Sequence, residues 1–265
     1  MPLAQALHAI GRAMPRSLNR CLLLPVAAIA FATSTASSGA ADTLAKGAEA
    51  DKAYIVEQIG STLAGAKAAQ AAWIKSRTGW ERIEPITAEF FAELDEAIDS
   101  WPDAKRGFHA IEARLFAGNL SDLSAPTDKL VTAVTAFDKA VRAPNFRFSS
   151  QGLLNGVTKL AYELGEKKAK GGESPYAATS LIDIRDNLQG IDAVYKTVLQ
   201  EPLKAKDAKL AQSIDGKIQD IEATLKAQDI KSLDQAKLQK TSEELAVLLQ
   251  ESASKLNLKK PSLSD

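Results

Sequence analysis

The sequence predicts an all-α protein, either an up-and-down helical bundle or a pair of packed bundles. Three observations predict it. Apolar residues recur at i, i+3, i+4 and i+7 instead of alternating, glycine and proline fall between these periodic stretches, and strand-like runs of valine, isoleucine and threonine are absent.

The first 40 residues are read as a secretory signal peptide and excluded from the fold. They contain no Asp or Glu, carry Arg12, Arg16 and Arg20, and pass through the apolar run CLLLPVAAIAFA into the small-residue stretch STASSGAA. That run is short of the roughly 20 residues needed to span a bilayer. The processed protein is therefore expected to be periplasmic and not membrane-spanning. Translation from Met14 would give a better-proportioned signal. Cys21 precedes the apolar run, which disfavours lipid attachment.

Helices are expected near 42–77, 85–101, 103–117, 123–142, 149–168, 176–201, 204–227 and 233–256, joined by short polar loops such as KGGESP and APNFRFSS. Pro85 suits the first turn of the second helix. Its stripe is Phe91, Leu94 and Ile98, and that of the third is Phe108, Ile111 and Leu115. The fifth carries Leu153, Leu154, Val157, Leu160 and Leu164, and the seventh Leu210, Ile214, Ile218, Ile221 and Leu225. Residues 41–257 form the helical domain, and 258–265 are expected to be a disordered tail. The KAKGGESP loop reads as an ordinary solvated connection.

Cleavage after the leader would remove both Met residues (Met1, Met14), the only Cys (Cys21) and one of the two His residues (His8). Disulfides, thiolate zinc sites and thioether copper sites are then excluded. Any metal must be held by carboxylates, carbonyls, tyrosine or His109, a set suited to iron, calcium or manganese, with zinc as an alternative. The formal charge of zero becomes −3, because three Arg and no acids are lost. No basic face points to nucleic acid.

The unusual chemistry lies between Trp73 and Phe116, where all three tryptophans and many acids fall. His109 and Glu112, three apart, share a helix face and can reach one ion. Asp95 and Asp99, four apart, lie beside the apolar stripe of their helix, whereas Glu89, Glu93 and Glu96 fall toward solvent. Glu84 and Asp95 are the acids to bring to the same point, because a cation relieves the repulsion of paired carboxylates. The competing reading is a hydrogen-bonded His/Glu pair at a bundle edge.

The stretch WERIEPITAEFFAELDEAID, residues 80 to 99, followed by GFHAIEARLF, residues 107 to 116, resembles the imelysin-like domain of the EfeO/EfeM family. The hallmark is GxHxxE, here Gly107, His109 and Glu112, preceded by ExxEPI (Glu81, Glu84, Pro85, Ile86) and LDxxID (Leu94, Asp95, Ile98, Asp99). Residues 176–192 are similar to a further family segment, in which Asp183 and Asn187 match and Ser180 replaces the usual Asp. The resemblance spans roughly residues 42–257. It implies two related four-helix-type bundles, a metal site built on HxxE, and iron acquisition alongside a membrane iron permease. With no β-rich segment before the helices, the chain looks like the single-domain EfeM type. The expected ligands are His109, Glu112, Glu84 and Asp95, with Glu81 and Asp99 in direct contact or supporting. Iron, ferrous or ferric, is the expected ion, with zinc or calcium as alternatives. The family also carries a peptidase label, but zinc peptidases use HExxH or HxxEH, with two histidines and a general base, and HAIEA supplies one His. Enzyme activity is therefore not expected. A metallopeptidase at the same residues and a metal-free helical scaffold are the alternative readings.

Overall fold

The computed structural model describes residues 68–100 and 106–263, and the expected signal peptide lies outside them. Helix α1 is described over 68–81 and is followed by α2 (Glu84–Asp99), α3 (Gly107–Leu115) and α4 (Ser124–Val141). Next come α5 (Ser150–Glu166), a 3₁₀ turn (Lys168–Lys170), α6 (Ser180–Val194), a π turn (Tyr195–Leu199), α7 (Gln200–Lys206), α8 (Ala208–Thr224) and α9 (Gln235–Lys255). Among the described residues there is no strand. No helix among them is long and apolar enough to cross a membrane.

Two apolar cores divide the helices. One gathers Trp73, Trp80, Ile98, Phe108, Ile111, Leu115, Leu130 and Phe137 from α1 to α4. The other gathers Leu154, Leu164, Ile184, Ile191, Ile214, Ile221, Leu245 and Leu249 from α5, α6, α8 and α9. The predicted stripes of α5 and α8 supply much of the second core, each fully buried Leu or Ile contributing about 1.5–3 kcal/mol. Side-chain oxygens close three helix starts: Ser149 accepts from Gly152 N–H, Asp207 from Leu210 N–H and Asp234 from Lys237 N–H.

The two bundles meet where α2 crosses α5. Gly156 permits the approach, since a Cβ there would stand 1.6 Å from the Pro85 carbonyl oxygen. Helix α2 is kinked at Phe91 (φ −145°, ψ 43°), whose ring packs edge-on against Phe137.

Several expected boundaries differ, among them the starts at 176 and 204, which lie at Ser180 and Ala208. Helix α1 continues through residue 81 instead of stopping at 77. Gly79 sits in open space at the surface, while Trp80 and Glu81 are drawn inward, so burial outweighs the glycine's helix penalty. The helix expected to end at 201 runs on to Lys206 through the π turn, a widened turn lying just upstream of Pro202, which has no N–H to donate. The expected disordered tail is instead held through residue 263. Lys259 exchanges two backbone bonds with the Gln151 amide (2.7 and 3.0 Å), and Leu258 and Leu263 pack on the second core.

Candidate metal centre between the bundles

Helix α3 opens at Gly107, where a φ of +65° and an added Cβ that would stand 2.0 Å from the Ile98 carbonyl oxygen exclude a side chain. That tight passage sets α3 against the end of α2. The Trp73 indole N–H donates to the Phe108 carbonyl (3.1 Å) and ties α3 to α1. His109 is thereby buried, with an exposure of 1%. Its Nδ1 lies 3.0 Å from Glu112 Oε2 and its Nε2 3.1 Å from Asp99 Oδ1. The imidazole sits between two carboxylates. Burial alone would lower its pKa, but hydrogen bonds to Asp99 and Glu112 outweigh it and raise the pKa above the usual value of 6.5.

Glu112 is fixed from the other bundle. Its Oε1 accepts the backbone N–H groups of Tyr176 (3.0 Å) and Ala177 (2.9 Å). The loop holding them turns through Ala178, at φ +56°, and is braced by Ser180. The Ser180 hydroxyl accepts from Ser174 N–H and donates to the Gly171 carbonyl, both at 3.1 Å. The Ser174 hydroxyl donates to Asp183 Oδ2 (2.5 Å).

Two buried cations hold the remaining acids. Arg77 bonds Asp99, and its Nη2 lies 2.6 Å from Glu81 Oε1 and 3.7 Å from Glu173. Its Nε stands 3.8 Å from Asp183. Lys168 Nζ donates to both Glu84 oxygens (2.9 and 3.0 Å) and to Glu173 (3.2 Å), and lies 3.8 Å from Glu81. Asn187 Nδ2 donates to Glu81 Oε2 (2.7 Å) and Glu84 Oε2 (2.6 Å).

The cluster contains Glu81, Glu84, Asp99, Glu112, Glu173 and Asp183, six carboxylates, against two fixed cations, Arg77 and Lys168. Such an excess calls for protons or a further cation. Burial pushes Asp183 up to about 6 despite Arg77 and Ser174, and pushes Glu81 well above its ordinary value. Asp99 moves the other way: burial would raise it, but Arg77 and His109 together hold it well below the usual carboxylate range.

Four of the six expected residues, Glu81, Asp99, His109 and Glu112, are joined directly or through Arg77. Glu84 joins them through Lys168 and Asn187. Asp95 instead lines, with Glu84, Glu89, Lys159 and Glu163, a groove of about 300 Å³ between α2 and α5. Glu89, Glu93 and Glu96 are exposed, as their spacing indicates. Among the described residues no group of three or more His, Cys, Asp or Glu side chains is arranged to hold a metal, and Arg77 and Lys168 stand among the acids. The donors nonetheless fit a hard cation by type, with carboxylate oxygens on both sides of one imidazole.

The expectation of an ordinary solvated KAKGGESP loop is corrected. Lys168 and Ser174 are buried, and with Glu173 they complete the cluster, because the loop folds inward onto α3 and α6. Arg77, four residues before Glu81 on α1, is the sequence signal for this pairing. Asp183 and Asn187, flagged by family likeness, are both buried here.

Burial, partly offset by a Thr87 hydrogen bond, raises Asp95 to about 6. A raised carboxyl contributes stability below its unfolded pKa of about 3.8, and that stability is lost as pH rises through about 6. Asp95→Asn is therefore expected to stabilise the metal-free protein at pH 7.5, by on the order of 2 kcal/mol. The gain should vanish toward pH 4, and urea unfolding at the two pH values checks it.

The fold and this cluster define a two-bundle helical protein with a buried carboxylate and histidine centre between the bundles. The chain belongs to the imelysin family, whose model (Peptidase M75: Imelysin) matches residues 25–106 and 103–257. It is 27% identical over 205 residues to the iron uptake system component EfeM of Bacillus subtilis (strain 168), covering 70% of this chain and 52% of that protein. It is also 27% identical over 212 residues to the iron uptake system component EfeO of Escherichia coli (strain K12), covering 72% of this chain and 56% of that protein. The chain thus spans about half the length of the relatives it matches.

Proposed function

We propose that this protein captures iron outside the cytoplasm, in the periplasm, and passes it to a membrane iron permease of the same uptake system. The relatives' designation as iron uptake components supports the role, and the acid-free, apolar composition of the first 40 residues supports the compartment. The observation that carries the reading is His109 held between Asp99 and Glu112 in a buried cluster with more acids than fixed cations.

His109 and Glu112 are the direct ligands in this reading, with Asp99 close enough to join and Glu81 linked to Asp99 through Arg77. Glu84 and Asp95 line the α2–α5 groove beside it. The backbone N–H groups of Tyr176 and Ala177 hold Glu112 Oε1, so Oε2 stays aimed at the imidazole. Iron satisfies this oxygen-and-nitrogen set, and zinc or calcium are the alternatives. Loading requires His109 to give up a proton, so affinity falls as pH drops through its raised pKa.

We read the role as binding and not peptide hydrolysis. A zinc-peptidase centre needs a second imidazole and a carboxylate left free as base, whereas Glu112 is engaged by His109 and two backbone N–H groups.

Calorimetry on residues 41–265 with iron, zinc and calcium at controlled oxidation state tests this. The expected result is one tight ion, weakened at least tenfold in both His109→Ala and Glu112→Ala. Equal binding by wild type and variants would overturn it.

A further inference from the structure

Lys168 stands in the cluster as a bound cation would. Its ammonium, on a side chain only 5% exposed, contacts both oxygens of Glu84 and one of Glu173, with Glu81 Oε2 at 3.8 Å. Asn187 bridges Glu81 and Glu84 from the other side. It is fully buried and its Oδ1 has no hydrogen-bond partner, leaving a neutral oxygen next to the acids. Glu84 also lines the α2–α5 groove, whose lining does not include His109. A compact ammonium with three donors, held by three carboxylates and beside an amide oxygen, occupies a set of oxygens that a divalent cation takes by itself.

We infer that Lys168 is a tethered counter-ion filling a second cation position, which limits the cluster to one mobile ion, the one at His109. This inference rests on the metal-capture reading for that first ion. Glu81 and Glu173 link the two positions, since each contacts both Arg77 and Lys168. The lysine therefore also lowers the negative potential felt at His109.

The test is manganese binding followed by calorimetry and equilibrium dialysis. Wild type is expected to bind one ion. Lys168→Met is expected to bind two, the added event disappearing when Glu84→Gln is combined with it, and Lys168→Arg is expected to keep one. Folded Lys168→Met with unchanged stoichiometry overturns the inference and leaves the His109 reading intact. No ion on wild type and one on Lys168→Met supports the second position and removes the first. If Lys168→Met is unfolded without metal, recovery of helical circular dichroism on adding manganese supports the inference, and no recovery at a thousandfold excess overturns it.

Discussion

Replacing Arg77 by methionine is expected to be among the most damaging single changes. The guanidinium is buried and serves Asp99, Glu81, Glu173 and Asp183, and it also lies 5.6 Å from the Phe108 ring centroid. Removing one partner of a buried ion pair leaves its carboxylates uncompensated, a loss of about 3–5 kcal/mol. The loss should be largest at neutral pH and shrink below about 6, where Asp183 takes up a proton. Asp99, deprived of Arg77, should also titrate closer to the ordinary carboxylate range. Denaturant unfolding at pH 7.5 and pH 5 reads the difference. Equal destabilisation at both values would mean that Arg77 acts through packing and not charge.

Gly107→Ala is expected to cost about 2–4 kcal/mol, since it combines a positive φ with overpacking. The added Cβ would meet the Ile98 carbonyl oxygen at 2.0 Å, so α3 must shift away from the end of α2. Because Asp99 follows Ile98 and His109 follows two residues after Gly107, that shift should pull the imidazole off Asp99. The His109 pKa should then fall from its raised value, since one of its two carboxylate partners is lost. Thermal unfolding and an NMR titration of the imidazole check the two effects. The glycine of GxHxxE is in this account a packing requirement that places the histidine.

Much of the helical frame is legible in the sequence because its signals are local. Helices α2, α4, α5 and α9 start and stop close to their expected ends, at Pro85 or at caps such as Ser149 and Asp234, with apolar periods between. The end of α1 is not local. Gly79 reads as a stop, and only the burial of Trp80 and Glu81 carries the helix past it. The same contrast holds at the site. His109 with Glu112 is visible as a spacing on one helix, and Asp99 as an acid beside an apolar stripe. Lys168 and Glu173 come from a loop whose Gly and Lys content reads as solvated. Their burial depends on α6 and on backbone N–H groups reaching Glu112, which no spacing encodes. Asp95, four residues from Asp99 on one helix, lines the groove side, a difference that spacing does not show.

Anomalous diffraction shows whether the proposed iron ion binds at His109 and Glu112 between the bundles. Crystals of residues 41–265 would be grown with ferrous iron under anaerobic conditions and measured across the iron absorption edge. The expected result is an anomalous peak bonded to an imidazole nitrogen of His109 and a carboxylate oxygen of Glu112. Ordered iron elsewhere, with both His109 hydrogen bonds to Asp99 and Glu112 intact, would contradict it.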